Sequence, residues 1–243
     1  MIKIIIHITK FILATITALL FASCNFNVNT IEGSGNVTTE KRIVQGDFTK
    51  ISISNAIDLV IEQSDSTQIV VETDDNIQKD IITKVENGTL IIKSKHNSLS
   101  VTKKKVTVKM PKIDRLEASS AASVSNKGTL QGENLDIETS SAATVGLNIE
   151  FDTVSCDTNS ASSVSVEGKA LKVRTSASSG STINAKRLFV NDVQADASSG
   201  ANVEVHPIVS LKANASSGGS INYDTTPKTV EKTANSGGSV SQG

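Results

Sequence analysis

From residue 114 onward apolar and polar positions alternate, and the alternation itself recurs. Val124, Val145, Val164, Ile183, Val203, Ile221 and Val240 lie 21, 19, 19, 20, 18 and 19 residues apart. Ten positions before each stand Asp114, Leu135, Val154, Val173, Val193, Leu211 and Val230. Eight before stand Leu116, Ile137, Cys156, Thr175, Ala195, Ala213 and Lys232, and six before there is always Ala or Thr. The residues between are mostly polar. Period-2 alternation predicts strands with one buried face, and a fixed period near 20 predicts stacked supersecondary units.

Four positions before each aliphatic origin the residue is always serine: Ser120, Ser141, Ser160, Ser179, Ser199, Ser217 and Ser236. Small residues there, with Gly218-Gly219 and Gly237-Gly238 in later repeats, suit tight corners. Stacked corners place serine above serine, each hydroxyl able to donate to its neighbour or to the backbone. These features predict an all-β fold, a single-stranded parallel β-helix of about seven C-terminal coils of 18–21 residues. The general crossover preference makes it right-handed. A left-handed hexapeptide helix fits the uneven spacings less well, and a disordered Ser/Gly tail fits the aliphatic columns poorly.

The N-terminal half is β as well but less regular. "FTKISIS" (48–54), "AIDLVIEQ" (56–63), "STQIVVET" (66–73) and "SVTKKKVTVKMP" (100–111) alternate, and Asn87-Gly88 is a two-residue hairpin signal. Residues 36–113 are read as opening coils or a meander capping the stack, because solenoid ends need caps. Residues 114–243 are the repeats.

Lys3 and Lys10 precede "FILATITALLF" (11–21), which is followed by "ASC"; that is the pattern of a secretory signal. An N-terminal membrane anchor is the alternative. "LFASC" (20–24) resembles the bacterial lipobox, which implies a leader over 1–23, acylation of Cys24 and a tether over 24–35. Cys156 is then the only thiol, so no internal disulfide forms. Aromatics make up only 3% of residues, with no Trp, so the core is thin and aliphatic. Net charge is −1, or −3 without Lys3 and Lys10; neither suits a nucleic-acid binder.

The stretch "FTKISISNAIDLVIEQ" (48–63), followed by "IVVETDDNIQKDIITKVENGTLIIK" (69–93) and the small-residue repeats, resembles the head GIN domain family. These are autotransporter-adhesin-like lipoproteins of Bacteroidetes. The resemblance spans roughly residues 35–243; Ser54-Asn55-Ala56-Ile57-Asp58 lacks the glycine of the family's name. It implies a right-handed β-helix related in shape to pectate-lyase-like folds, an adhesive role and no established catalysis.

Catalytic or metal chemistry has few candidates. Asp74-Asp75 is the only acidic pair, and Arg174 lies on a polar face with Asp157 in the neighbouring coil, a weak echo of a polysaccharide lyase. His206 precedes Pro207 and is read as a surface loop residue. Lys103-Lys104-Lys105 could meet anionic lipid or glycan, but also suits a solvated edge. Asp65-Ser66-Thr67, Asp152-Thr153-Val154 and Asp224-Thr225-Thr226 resemble a short O-glycosylation motif. No cofactor and no metal cluster is expected. The sequence thus predicts a non-catalytic lipoprotein of the cell envelope, anchored in the outer membrane and facing periplasm or surface. It presents an interaction surface to a glycan or protein. The alternatives are a polysaccharide-active enzyme and a periplasmic scaffold or partner of an envelope signalling system; oligomeric state is open.

Overall fold

The computed structural model describes residues 30–96 and 99–243, with Lys10, Ile12 and Thr15. Cys24 and nearly all of the expected leader lie outside the described residues. In chain order the strands are β1 (Ile31–Glu32), β2 (Val37–Arg42), β3 (Lys50–Ile53), β4 (Asp58–Gln63), β5 (Gln68–Asp74) and, after a 3-10 turn (Asp75–Asp80), β6 (Ile81–Glu86). Then come β7 (Thr89–Ser94), β8 (Leu99–Ser100), β9 (Lys104–Met110), β10 (Arg115–Ala118), β11 (Ser123–Lys127), β12 (Leu130–Thr139) and β13 (Thr144–Thr158). The last are β14 (Ser163–Ala177), β15 (Thr182–Ala197), β16 (Asn202–Ala215), β17 (Ser220–Tyr223), β18 (Thr229–Ala234) and β19 (Ser239–Gln242). The chain forms two units. In the smaller, β1 pairs in parallel with β8; everything below concerns the larger, residues 33–97 and 101–243.

The larger unit is a parallel β-solenoid of about seven turns. Its first column stacks Leu116, Ile137, Cys156, Thr175, Ala195 and Ala213 in register. The second stacks Val124, Val145, Val164, Ile183, Val203, Ile221 and Val240. The expected aliphatic columns are therefore the core, and all but the last row are buried. Across β18, by contrast, Val230, Lys232 and Ala234 are exposed, because no coil covers that row among the described residues. At the other end of the column Ile113, and not Asp114, turns inward; Asp114 pairs with Lys112 at 3.0 Å.

Corners are made by two successive residues with positive φ. Ser120 and Ala121 have φ 52° and 59°, Ser141 and Ala142 53° and 61°, and Ser199 and Gly200 52° and 73°. The residue after each pair donates its N–H back to the carbonyl three positions earlier, as from Ala143 to Ser140 at 3.2 Å. That is the turn of a tight hairpin. Here the strands on either side pair with coils above and below instead of with each other. Each corner also donates to the next: Ala121 N–H to the Ser141 carbonyl at 2.9 Å, Ala142 to Ser160 at 3.1 Å, Gly200 to Ser217 at 3.1 Å. The coil-to-coil ladder at the serines runs through backbone carbonyls, while all seven side chains are exposed.

Buried hydroxyls sit two residues further on. Ser162 Oγ donates to the Asn159 carbonyl at 2.6 Å and lies 3.1 Å from Thr139 Oγ1; Ser181 Oγ donates to the Thr158 carbonyl at 2.8 Å. Buried donors without a partner cost about 1–3 kcal/mol, so these bonds let serine replace alanine in the core. Thr158 and Thr175 hydroxyls, also buried, have no partner among the described residues.

Within residues 36–113 the chain order departs from the stacking order. β3 and β4, joined by a corner at Ser54–Ile57 with Asn55 and Ala56 at positive φ, form a coil resting on β10 and β11. Above it lie β7 and β9, which come later in the chain. The cap is antiparallel: β5 pairs with β9 and β2 with β5, while β6 forms a hairpin with β7 through Asn87 and Gly88 at φ 51° and 73°. The outermost strand, β2, is largely exposed and ends in Glu40-Lys41-Arg42, charges that discourage edge-to-edge pairing.

Candidate functional site

Two outward columns frame a groove on the face between the second and first core columns. One wall is Gln131, Glu150, Lys169, Phe189 and His206, in register from β12 to β16. The other is Asp152, Leu171, Asn191 and Ile208, two positions along each strand. The floor between them is Gly132, Phe151 and Ala170. The space amounts to about 610 Å³. Leu171 is 52% exposed, Phe189 50% and Ile208 46%, so three consecutive coils each present one large apolar side chain to solvent. Gly132 is required here, since a Cβ would come within 2.6 Å of the Phe151 ring.

Phe189 is held in place. Its ring meets His206 edge-on, centroids 4.8 Å apart and planes at 75°, and His206 Nδ1 lies 2.8 Å from Asp224 Oδ1. His206 is thus a strand residue supporting an aromatic neighbour, where the sequence reading put it in a loop. The side chains of Asp152, Lys169 and Asn191 make no hydrogen bond or ion pair with other described residues. The sequence reading missed this groove. Its signal was parity: Phe189 lies between the buried Leu188 and Val190, so it had to point outward.

The other candidates resolve into structural roles. Asp74 is fully buried and accepts hydrogen bonds from the N–H groups of Gly35 at 2.6 Å and Thr102 at 2.8 Å and from the Thr102 hydroxyl at 3.3 Å. Burial pushes its carboxyl up, but the bonds from Thr102, Gly35 and Lys103 outweigh it and hold the group below the ordinary carboxylate range. Asp75 accepts from Ser34 and Asn36. The pair is a clasp holding residues 34–36 and 102 onto the cap, and among the described residues no His/Cys/Asp/Glu cluster could hold a metal. Arg174 reaches Asp196 of the following coil at 3.8 Å, where Asp157 was the expected neighbour. Lys103 and Lys105 both pair with Glu72, whose carboxyl is lowered chiefly by its Lys103 hydrogen bond. Cys156 is buried, and desolvation raises its thiol to about 12; it is a core residue.

A β-solenoid with an antiparallel cap and an apolar-studded groove is the class of protein these features define. Residues 47–227 match the family described as "putative auto-transporter adhesin, head GIN domain", and the chain belongs to that family. Solved structures share the fold. A "putative adhesin" from Bacteroides fragilis is 21% identical with TM-score 0.80, the match covering 87% of this chain and 99% of that one. A "putative lipid binding protein" from Parabacteroides distasonis is 21% identical with TM-score 0.75, covering 88% and 100%. A "putative adhesin" from the same organism is 24% identical with TM-score 0.72, covering 88% and 100%. No curated protein matches.

Proposed function

We propose that this chain is a non-catalytic, lipid-anchored protein of the cell envelope that adheres through the Leu171–Phe189–Ile208 face. The observation that carries it is the exposure of these three side chains on consecutive coils of one face, since large apolar side chains gathered in the open on one face mark interaction sites. The adhesin description of the family supports the same reading. So does the "LFASC" leader pattern, by which Cys24 carries the acyl chains that tether the protein to the outer membrane.

Three measurements test it. Metabolic palmitate labelling is expected in the native chain and absent in Cys24→Ala. Beads coated with the protein are expected to bind a surface coated with glycan or protein, and a Leu171→Asp, Phe189→Asp double variant is expected to lose that binding at unchanged melting temperature. Retention of binding by the variant rules out this face. Digestion of the protein by external protease on intact cells, with a periplasmic control spared, is expected of an adhesin; full protection overturns the surface orientation.

A further inference from the structure

Resting on that reading of the face, we infer that the groove beside Phe189 is a binding site for a neutral hexopyranose glycan, with the phenyl ring as stacking platform. The electron-rich face of an aromatic ring attracts the weakly positive C–H groups on one side of a pyranose. Such a platform serves only if its orientation is fixed before the sugar arrives. The relay from Asp224 through His206 to the Phe189 ring, packed against it at 75°, supplies that fixing.

The surrounding polar groups suit hydroxyls. Glu150 and Asp152 are acceptors, Lys169 is a donor, and Gln131 and Asn191 are both. Asp152, Lys169 and Asn191 have no protein partner among the described residues. Polar and apolar groups are interspersed in the groove: Asp152, Leu171, Asn191 and Ile208 alternate along one wall, and Phe189 follows Glu150 and Lys169 on the other. A pyranose has the same mixture, apolar on its faces and polar around its rim. Coils are spaced by about 4.8 Å, close to the advance per residue of an extended pyranose chain, so each coil can address one sugar.

The charge pattern selects among glycans. Two carboxylates against one lysine leave the groove weakly negative, which disfavours uronate or sulfated chains. Its volume of about 610 Å³ falls within the range of small-ligand sites. A protein interface needs about 800 Å² per partner with an apolar centre, whereas here the three apolar side chains are separated by polar ones.

The test is affinity electrophoresis of the full-length protein in a polyoxyethylene detergent, in native gels containing mannan, galactomannan or soluble β-glucan, with alginate as the anionic comparison. Retardation by at least one neutral polymer is expected, and none by alginate. Phe189→Ala is expected to weaken it at least 10-fold and Phe189→Trp to preserve it; both substitute a half-exposed residue, and circular dichroism checks that they fold. No retardation by any neutral polymer, equal retardation of Phe189→Ala, or preference for alginate each overturns the inference. Blank gels alongside bead adhesion that the double variant abolishes mean that the face binds protein or lipid: the glycan inference fails and the adhesion reading stands. Blank gels with adhesion unaffected by the double variant sink both.

Discussion

Lys104 Nζ donates a 2.6 Å hydrogen bond to the carbonyl of Asn55. Asn55 occupies, in the β3–β4 coil, the place that Ser120 and its successors occupy below, where each serine carbonyl accepts from the corner above. Among the described residues no corner donates to the Asn55 carbonyl from above, so the ladder's first acceptor would be left open. The lysine closes it, at the cost of partial burial that pulls its own ammonium below the ordinary range against the opposing charge of Asp58. Lys104→Met is expected to destabilise the protein by about 1.5–3 kcal/mol, the worth of a hydrogen bond from a charged donor. Urea denaturation measures it; an unchanged midpoint removes the capping role.

The Asp74 clasp sets the acid limit of the cap. Its folded pKa is depressed, so its contribution is complete above the unfolded carboxylate value of about 4 and is lost as pH falls through the lower folded value. Melting temperature is expected to drop as pH falls below about 4. Asp74→Asn is expected to lower it already at pH 7 and to flatten the acid slope, since one amide oxygen cannot accept from all the donors around it. A variant that keeps the native slope places the acid sensitivity elsewhere.

Gly168 in β14 has φ 118°, and a Cβ there would lie 2.0 Å from the Ile149 carbonyl oxygen. Both the dihedral and the clash with backbone forbid a side chain. Gly168→Ala is expected to cost more than 3 kcal/mol, on the order of a severe core lesion, read as loss of cooperative melting or of soluble expression.

Thr175 is fully buried and its hydroxyl has no partner among the described residues. Thr175→Val keeps the shape and removes the stranded group, so it is expected to raise stability by about 1 kcal/mol. A fall in melting temperature would mean that the hydroxyl is satisfied in solution.

Cys156 is expected to resist iodoacetamide in the folded protein, because the thiolate is the reactive form and burial raises the thiol to about 12. Labelling should appear only in denaturant, and mass spectrometry after a timed pulse would show it. Fast labelling under native conditions would place the residue outside the core.

How much of this was legible in the sequence depends on parity. Val145, Val164 and Ile183 repeat at fixed positions with polar neighbours, so their column could be read directly. The serines marked the corners, yet not what they do there: positive φ at Ser141 and Ser160 turns the side chain outward and the carbonyl along the stack, and no propensity announces that. Buried hydroxyls fell to Ser162 and Ser181, which share the inward parity of Ala143 and Ala201. Phe189 was equally open to a parity argument. The Asp74 clasp was not, because Gly35 and Thr102, which bind it, lie 39 and 28 residues away.

The displaced order of the first coil has a kinetic meaning. β3 and β4 find one set of neighbours in β7 and β9 and the other in β10 and β11, so the coil stays bare on one side until residue 127 is available. Coils below it can be laid down one after another, each on a finished template. Growth of the stack is therefore expected to wait on a slow, long-loop first step and then to proceed quickly toward the C-terminus, as a zip fastener runs once its pin is seated.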